Sequence, residues 1–337
     1  MSTSVTTSPR QGRRMVAVAI LVSAIVALAL WAFAWPAART APRDLPLGVA
    51  GPAAATAPLQ TQLKEREGAF EVHRYADEAA ALDAIADRAV YGAVVVTPQG
   101  TKLLTATAAS PVVAQLLEQA VTAQAPQGAE VPTTDVVAAP AADPRGAALG
   151  ASILPMAIAG VAAGALVSML GLRGIRALAS LVSAAAMIGV VAAALTHSWL
   201  GILTGNWWAE AGVLGLSTLA VGATVAGCAA LLGPAGIGVG ALTMVLLGNP
   251  FSGVTSAPQL LPEPVGFLGQ LLPPGAGGTL LRSVSFFDGA RVAGPLLTLA
   301  LWALLGLTAV LLGALRRRPA AGAREEAPKP REAAPAA

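Results

Sequence analysis

One cysteine, three lysines and two histidines among 337 residues set the first limits on this chain. Cys228 has no second thiol to pair with, so no intrachain disulfide can staple the fold. Set in an apolar run, it reads as a small buried hydrophobe. Lys64, Lys102 and Lys329 follow Leu63, Thr101 and Pro328, so the Gly-Lys-Ser/Thr of a phosphate-cradling loop is missing. His73 and His197 stand far apart, and Glu210 is the sole candidate neighbour of His197. A zinc site needs several clustered His, Cys or carboxylate ligands, and none is spaced that way. Charge is scarce as well: 12% of residues carry it, against roughly 25% in an average soluble domain. Between Ala147 and Leu315 the charged residues are Arg173, Arg176, Glu210, Glu263, Arg282, Asp288 and Arg291. All fall in loops, at the ends of apolar runs or in one broken stretch. Ionisable residues inside spans mark proton relays and membrane catalysis, and their absence argues against both. No catalytic residue, cofactor site or metal ligand is expected, nor a nucleic-acid partner. The chain does not read as an enzyme.

Apolar sequence fills the space that charge leaves. Hydrophobic residues make up 55% of the chain and the mean hydropathy is +0.68, which is the signature of an integral membrane protein. A polar segment, 1–14, carries Arg10, Arg13 and Arg14 ahead of an uncharged run from Met15 to Trp35. At 1.5 Å per residue that run crosses a hydrocarbon core of roughly 30 Å. It exceeds the roughly 7–15 apolar residues of a secretion signal, so an uncleaved anchor is expected, with Trp31 and Trp35 at its far interface.

From 36 to 146 the character is that of a soluble α/β domain, large enough to own a core. Leu45–Gly51, Phe70–Tyr75 and Tyr91–Val96 read as strands, and Lys102–Ala109 as a hairpin return beside the third. Val131–Ala138 is expected as a last strand. Helices are expected over Ala57–Gly68, over Glu78–Ala89 capped by Asp77, and after Ser110-Pro111. Residues 147–247 then hold four more apolar runs: Ala147–Leu170, Ala177–Leu195, Ala211–Leu232 and Ile237–Leu247. A final run, Val292–Leu315, stops at Arg316-Arg317-Arg318, and the Pro/Ala/Glu/Arg tail to Ala337 is expected to be disordered. Runs such as AIAGVAAGA at Ala157–Ala165 and GPAGIGVG at Gly233–Gly240 read as close helix packing, or as a dimer seam. Arginines at 10–14, 173–176 and 316–318 share one side if there are six spans, and positive-inside bias makes that side cytoplasmic. The expected fold is therefore an α-helical membrane protein with six transmembrane helices (1 + 5) and an extracytoplasmic α/β domain inserted after the first span. Both termini are expected in the cytoplasm, at the cell membrane.

The stretch 248–291 breaks this pattern. Pro250, Pro258, Pro262, Pro264, Pro273 and Pro274 forbid one straight helix, yet Leu260, Leu261, Val265, Phe267 and Leu271 are too apolar for an ordinary loop. Non-helical backbone at membrane depth needs protein or a watery cavity to satisfy it, so a re-entrant or interfacial hairpin is expected. Arg282 and Asp288 are candidates for an exposed pair there, of small energetic worth.

Gly248-Asn249-Pro250, Leu261-Pro262-Glu263-Pro264, Leu272-Pro273-Pro274-Gly275, Leu281-Arg282 and Phe286-Phe287-Asp288-Gly289 together look like the segment before the last span of ABC-2 type permeases. Leu45-Pro46-Leu47-Gly48-Val49 and Tyr91–Val96 look like the external domain of one branch. The whole chain resembles the phage-infection-protein (Pip/YhgE-like) permeases of Gram-positive bacteria. That resemblance implies an exporter subunit working as a homodimer or heterodimer with a separate cytoplasmic ATPase. It implies an ATPase-coupling loop at Arg173, Gly174, Ile175 and Arg176. It also implies a re-entrant gate carrying Asn249, Pro250, Pro262, Pro264, Pro273, Pro274 and Arg282. Two features depart from the family pattern: 1–14 is short and polar where an amphipathic interface helix is usual, and the coupling loop is very short. A second reading stays open, in which the chain does not transport and its external domain binds a partner at the envelope.

Overall fold

The computed structural model describes residues 9–123 and 131–316. The expected disordered tail, Arg317 and Arg318 lie outside the described residues, as do residues 1–8 of the polar start. Helix α1 (Pro9–Ala38) runs through the first apolar stretch and hands the chain to a five-stranded sheet. Its strands are β1 (Leu45–Ala50), β2 (Phe70–Tyr75), β3 (Gly92–Thr97), β4 (Gly100–Thr105) and β5 (Thr133–Asp135). They lie in the order β2-β1-β3-β4-β5, with β1 parallel to both β2 and β3, and β3 antiparallel to β4. Parallel neighbours need crossovers, which α2 (Ala53–Lys64) and α3 (Glu78–Ala86) supply. Helix α4 (Pro111–Thr122) links β4 to β5, and the last strand is three residues long where eight were expected.

Capping sets where these helices begin. Asp77 accepts from the Ala80 amide at 2.9 Å and Ser110 from the Val113 amide at 3.2 Å. Ser110 is fully buried, so water cannot substitute for its oxygen. Ser110→Ala is expected to lower stability by about 1 kcal/mol, read as a fall in the thermal unfolding midpoint of the full-length protein.

The second half is a helical bundle. It contains α5 (Ala147–Met169), α6 (Gly174–Ala193, continued by a π turn to Trp199), α7 (Trp207–Leu232) and α11 (Ala293–Arg316). Among the described residues five helices, α1 included, are long and apolar enough to cross a membrane. The expected run at Ile237–Leu247 is not one of them. It forms α8 (Ala235–Ala241) with a π turn to Leu247, about 20 Å in all at 1.5 Å per residue.

Helix α7 is the hub: 72% of its most apolar window is buried, against 22–33% for α5, α6 and α11. Glycine makes that possible. A Cβ on Gly160 would meet Val221 at 2.7 Å, and one on Gly227 would meet the Gly306 carbonyl at 2.8 Å. Gly164 and Gly189 likewise face α7 backbone with no room for a methyl. Both glycines of the Ala157–Ala165 run are thus spent on contacts within the chain.

Candidate functional site

Local sequence dictates the shape of the broken stretch. Asn249 and Pro250 turn the chain out of α8, a 3-10 turn covers Pro258–Leu260, and α9 (Val265–Gln270) follows a cis Glu263–Pro264 bond. Helix α10 (Pro273–Phe286) starts with two prolines at positions whose amides would have no helical partner. Both are buried against Ile153, Met156 and Val213 of the bundle. Pro262 is buried near α9, whereas Pro264 lies exposed along an outer groove with Arg43 and Phe267. The expected gate residues are therefore spread over three faces of the hairpin, not gathered at one point.

The hairpin also completes the core of the sheet. Leu260 is fully buried among Leu45, Leu47, Leu103 and Val113, and Phe287 packs with Ile85, Val95 and Leu104. Main-chain bonds seal the joint, Ala41 N–H to the Leu260 carbonyl and Arg43 N–H to the Gln259 carbonyl. The α/β unit was expected to own its core, but it borrows Leu260 and Phe287 from the far end of the chain.

Between the starting ends of the central strands β1 and β3 and the hairpin lies a cavity of about 220 Å³, walled by Pro46, Arg88, Tyr91, Gln259, Gln270, Thr279, Arg282 and Arg291 among others. Arg88 closes α3 at a left-handed φ of 57°. Glycine is the usual residue at that helix-ending position because it has no Cβ to clash. Its Nη1 donates to the Thr279 carbonyl at 3.0 Å and to the Ser283 hydroxyl, and its guanidinium lies 5.1 Å from the Phe287 ring centre. Tyr91 donates its hydroxyl to Gln259 Oε1 at 2.9 Å. Arg291, at φ 55° and exposed at the mouth, donates from Nε to the Asp87 carbonyl at 3.2 Å.

Arg282 is the deepest of the three, only 5% exposed. Its Nη2 donates to the Val254 carbonyl, while its Nε has no partner. The expected pair with Asp288 is not formed, because α10 turns Arg282 inward while Asp288 sits exposed in the following turn. Among the described residues, none of the three arginines makes an ion pair, and no carboxylate lines the cavity. Helix α10 lies outside the five candidate spans. There, burial pulls the Arg282 pKa down to about 10, with the Arg88 charge adding to the effect and Tyr91 opposing it. Burial likewise lowers that of Arg88 and raises that of Tyr91.

The two other expected positions lie elsewhere. Of the expected coupling loop only Arg173 lies in the α5–α6 turn, while Gly174, Ile175 and Arg176 open α6; Arg173, Ile175 and Arg176 are exposed, and Arg173 shares a pocket with Gly313 and Ala314 of α11. His197 and Glu210 meet at the opposite end of α6 and α7. His197 Nδ1 is 2.7 Å from Glu210 Oε2, and Glu210 Oε1 accepts from the Gly205 amide at 2.8 Å. Thirteen residues of chain separate them, and the α6–α7 turn brings them together.

Arg88 and Tyr91 were not singled out as site residues from sequence. No local signal marked them: the helix was expected to run to Ala89, and the left-handed backbone at Arg88 shows only in the fold, where α3 ends at Ala86. No protein-family model, curated protein or solved structure matches the chain.

Proposed function

We propose that this chain is the membrane permease subunit of an ABC-2 type exporter, working as a dimer with a separate cytoplasmic ATPase. The observation that carries the reading is the hairpin of 248–291. Its α10 packs against α7 and α11 on one side while its other side closes the sheet core. An element that touches both the bundle hub and the outer unit can transmit a helix movement to an exit wall. In this reading α8 with its π turn makes a sixth, short pass, the termini are cytoplasmic and the sheet is extracytoplasmic at the plasma membrane. Arg173 to Arg176 then contact the ATPase.

Affinity purification from native membranes tests this directly, with an ATPase expected among the retained subunits. Arg173→Glu with Arg176→Glu is expected to cut export at least 10-fold while leaving the amount of folded protein unchanged, since both side chains are exposed. Unchanged export in that double variant would sink the permease reading. Labelling of single cysteines at Phe267, Leu268 and Leu271, all exposed, is expected from the outer face only. A second reading draws on the arginine-lined cavity: the chain does not transport, and its extracytoplasmic unit binds a partner.

A further inference from the structure

The cavity at the starting ends of β1 and β3 gathers cationic side chains without a counter-charge. Three guanidinium groups from three separate segments converge on about 220 Å³, and no carboxylate lines its wall. Like charges so gathered repel one another, and the low dielectric around a buried group strengthens that repulsion. Burying a charge without a partner is costly in itself. Arg282 shows the imbalance most clearly: nine-tenths buried, one bond to a carbonyl, and Nε with none. Arg88 and Arg291 add a second sign. Each holds left-handed backbone that a β-carbon disfavours, at cavity-lining positions where glycine would sit more easily. Asp87 and Asp288 are exposed nearby, yet neither lines the cavity nor pairs with the arginines.

We propose that the cavity walled by Arg88, Arg282 and Arg291 binds a phosphate group, carried on a lipid headgroup or on a free phosphorylated small molecule. A phosphomonoester brings a charge near −2 at neutral pH and three acceptor oxygens, which suits three guanidinium forks better than the single charge of a carboxylate. Arginine is also the side chain whose planar fork matches phosphate geometry. Tyr91, Gln259 and Gln270 line the same wall; Tyr91 donates to Gln259 Oε1, and the Gln270 amide is bonded to Ser252 and Thr279. A space of about 220 Å³ admits a tetrahedral oxyanion with a short organic arm. Arg282 forms the floor and Arg291, the exposed one, guards the mouth. The site names a ligand for the outer unit whether or not the chain transports, so loss of the ATPase interaction leaves it standing.

Full-length protein in phosphatidylcholine nanodiscs is titrated with glycerol 3-phosphate, against sodium chloride at matched ionic strength, and binding is followed calorimetrically. In parallel, discs containing phosphatidic acid are analysed by native mass spectrometry for retained lipid. Saturable binding of glycerol 3-phosphate assigns a free phosphate. Retention of one phosphatidic acid without that binding assigns a lipid headgroup. Arg291→Gln is expected to weaken whichever probe binds about 10-fold, in line with the loss of one charged hydrogen bond, and to fold normally because Arg291 is exposed. Arg282→Gln is expected to weaken it further. Neither probe binding, or both binding equally well to Arg291→Gln and Arg282→Gln, would overturn the assignment.

Discussion

Gly269→Ala is expected to destabilise the protein by about 3 kcal/mol, at the upper end of what overpacking costs. A β-carbon at Gly269 would fall on the carbonyl of Phe251, and it would also meet the Phe251 Cβ at 3.1 Å. The obstacle is backbone, so no rotamer change relieves it. Gly269 itself supplies the carbonyl against which Gly275 packs at the start of α10. A shift at 269 is therefore passed to α10 and from there to Arg282. The expected result is a lower thermal midpoint in detergent and heightened protease sensitivity between α8 and α11. Gly212→Ala and Gly294→Ala are the controls, since a methyl at either meets nothing within 4 Å and both are expected to unfold close to the parent. If Gly269→Ala melted with those two, the close approach of α9 to Phe251 would be wrong.

The second large effect is expected at Glu210. This carboxylate is completely buried, holds the ring of His197 and accepts the Gly205 amide. Gly205 in turn lies against the Val284 carbonyl with no room for a side chain, and Thr204 donates to the Ser285 carbonyl at 3.3 Å. Glu210 thus ties the α6–α7 turn to α10. Glu210→Ala leaves the half-buried Gly205 amide without an acceptor and a histidine without its partner, for which about 3 kcal/mol is expected. Glu210→Gln keeps an acceptor for Gly205 and is expected to lose markedly less. Thermal unfolding followed by fluorescence of Trp207 and Trp208, in the first turn of α7, ranks the two variants. Equal midpoints for Glu210→Ala and the parent would show that the bonds made by Glu210 contribute nothing.

Much of the architecture was legible because its causes are local. Phe70–Tyr75 alternates and is a strand over those residues. Asp77 and Ser110 cap the helices that follow them, and the apolar runs at 147–170 and 211–232 are helices. The run Ile237–Leu247 is apolar and helical, but composition does not show that its helix is short and ends in a π turn. His197 and Glu210 seemed distant because spacing along the chain says little about two residues on either side of a tight turn.

What the sequence determined by itself is a chain with apolar helices, a small α/β unit after the first of them and a stretch that prolines keep from spanning. Each of these follows from residue chemistry acting over a few turns of backbone. Only the tertiary structure decided where Gly248–Arg291 goes. Its Leu260 and Phe287 fill the sheet core, its Pro273 and Pro274 enter the bundle, and its Arg282 turns inward to line one cavity with Arg88 and Arg291. Arg88 and Arg282 are 194 residues apart in sequence. No periodicity encodes that meeting, because it depends on which buried faces fit together.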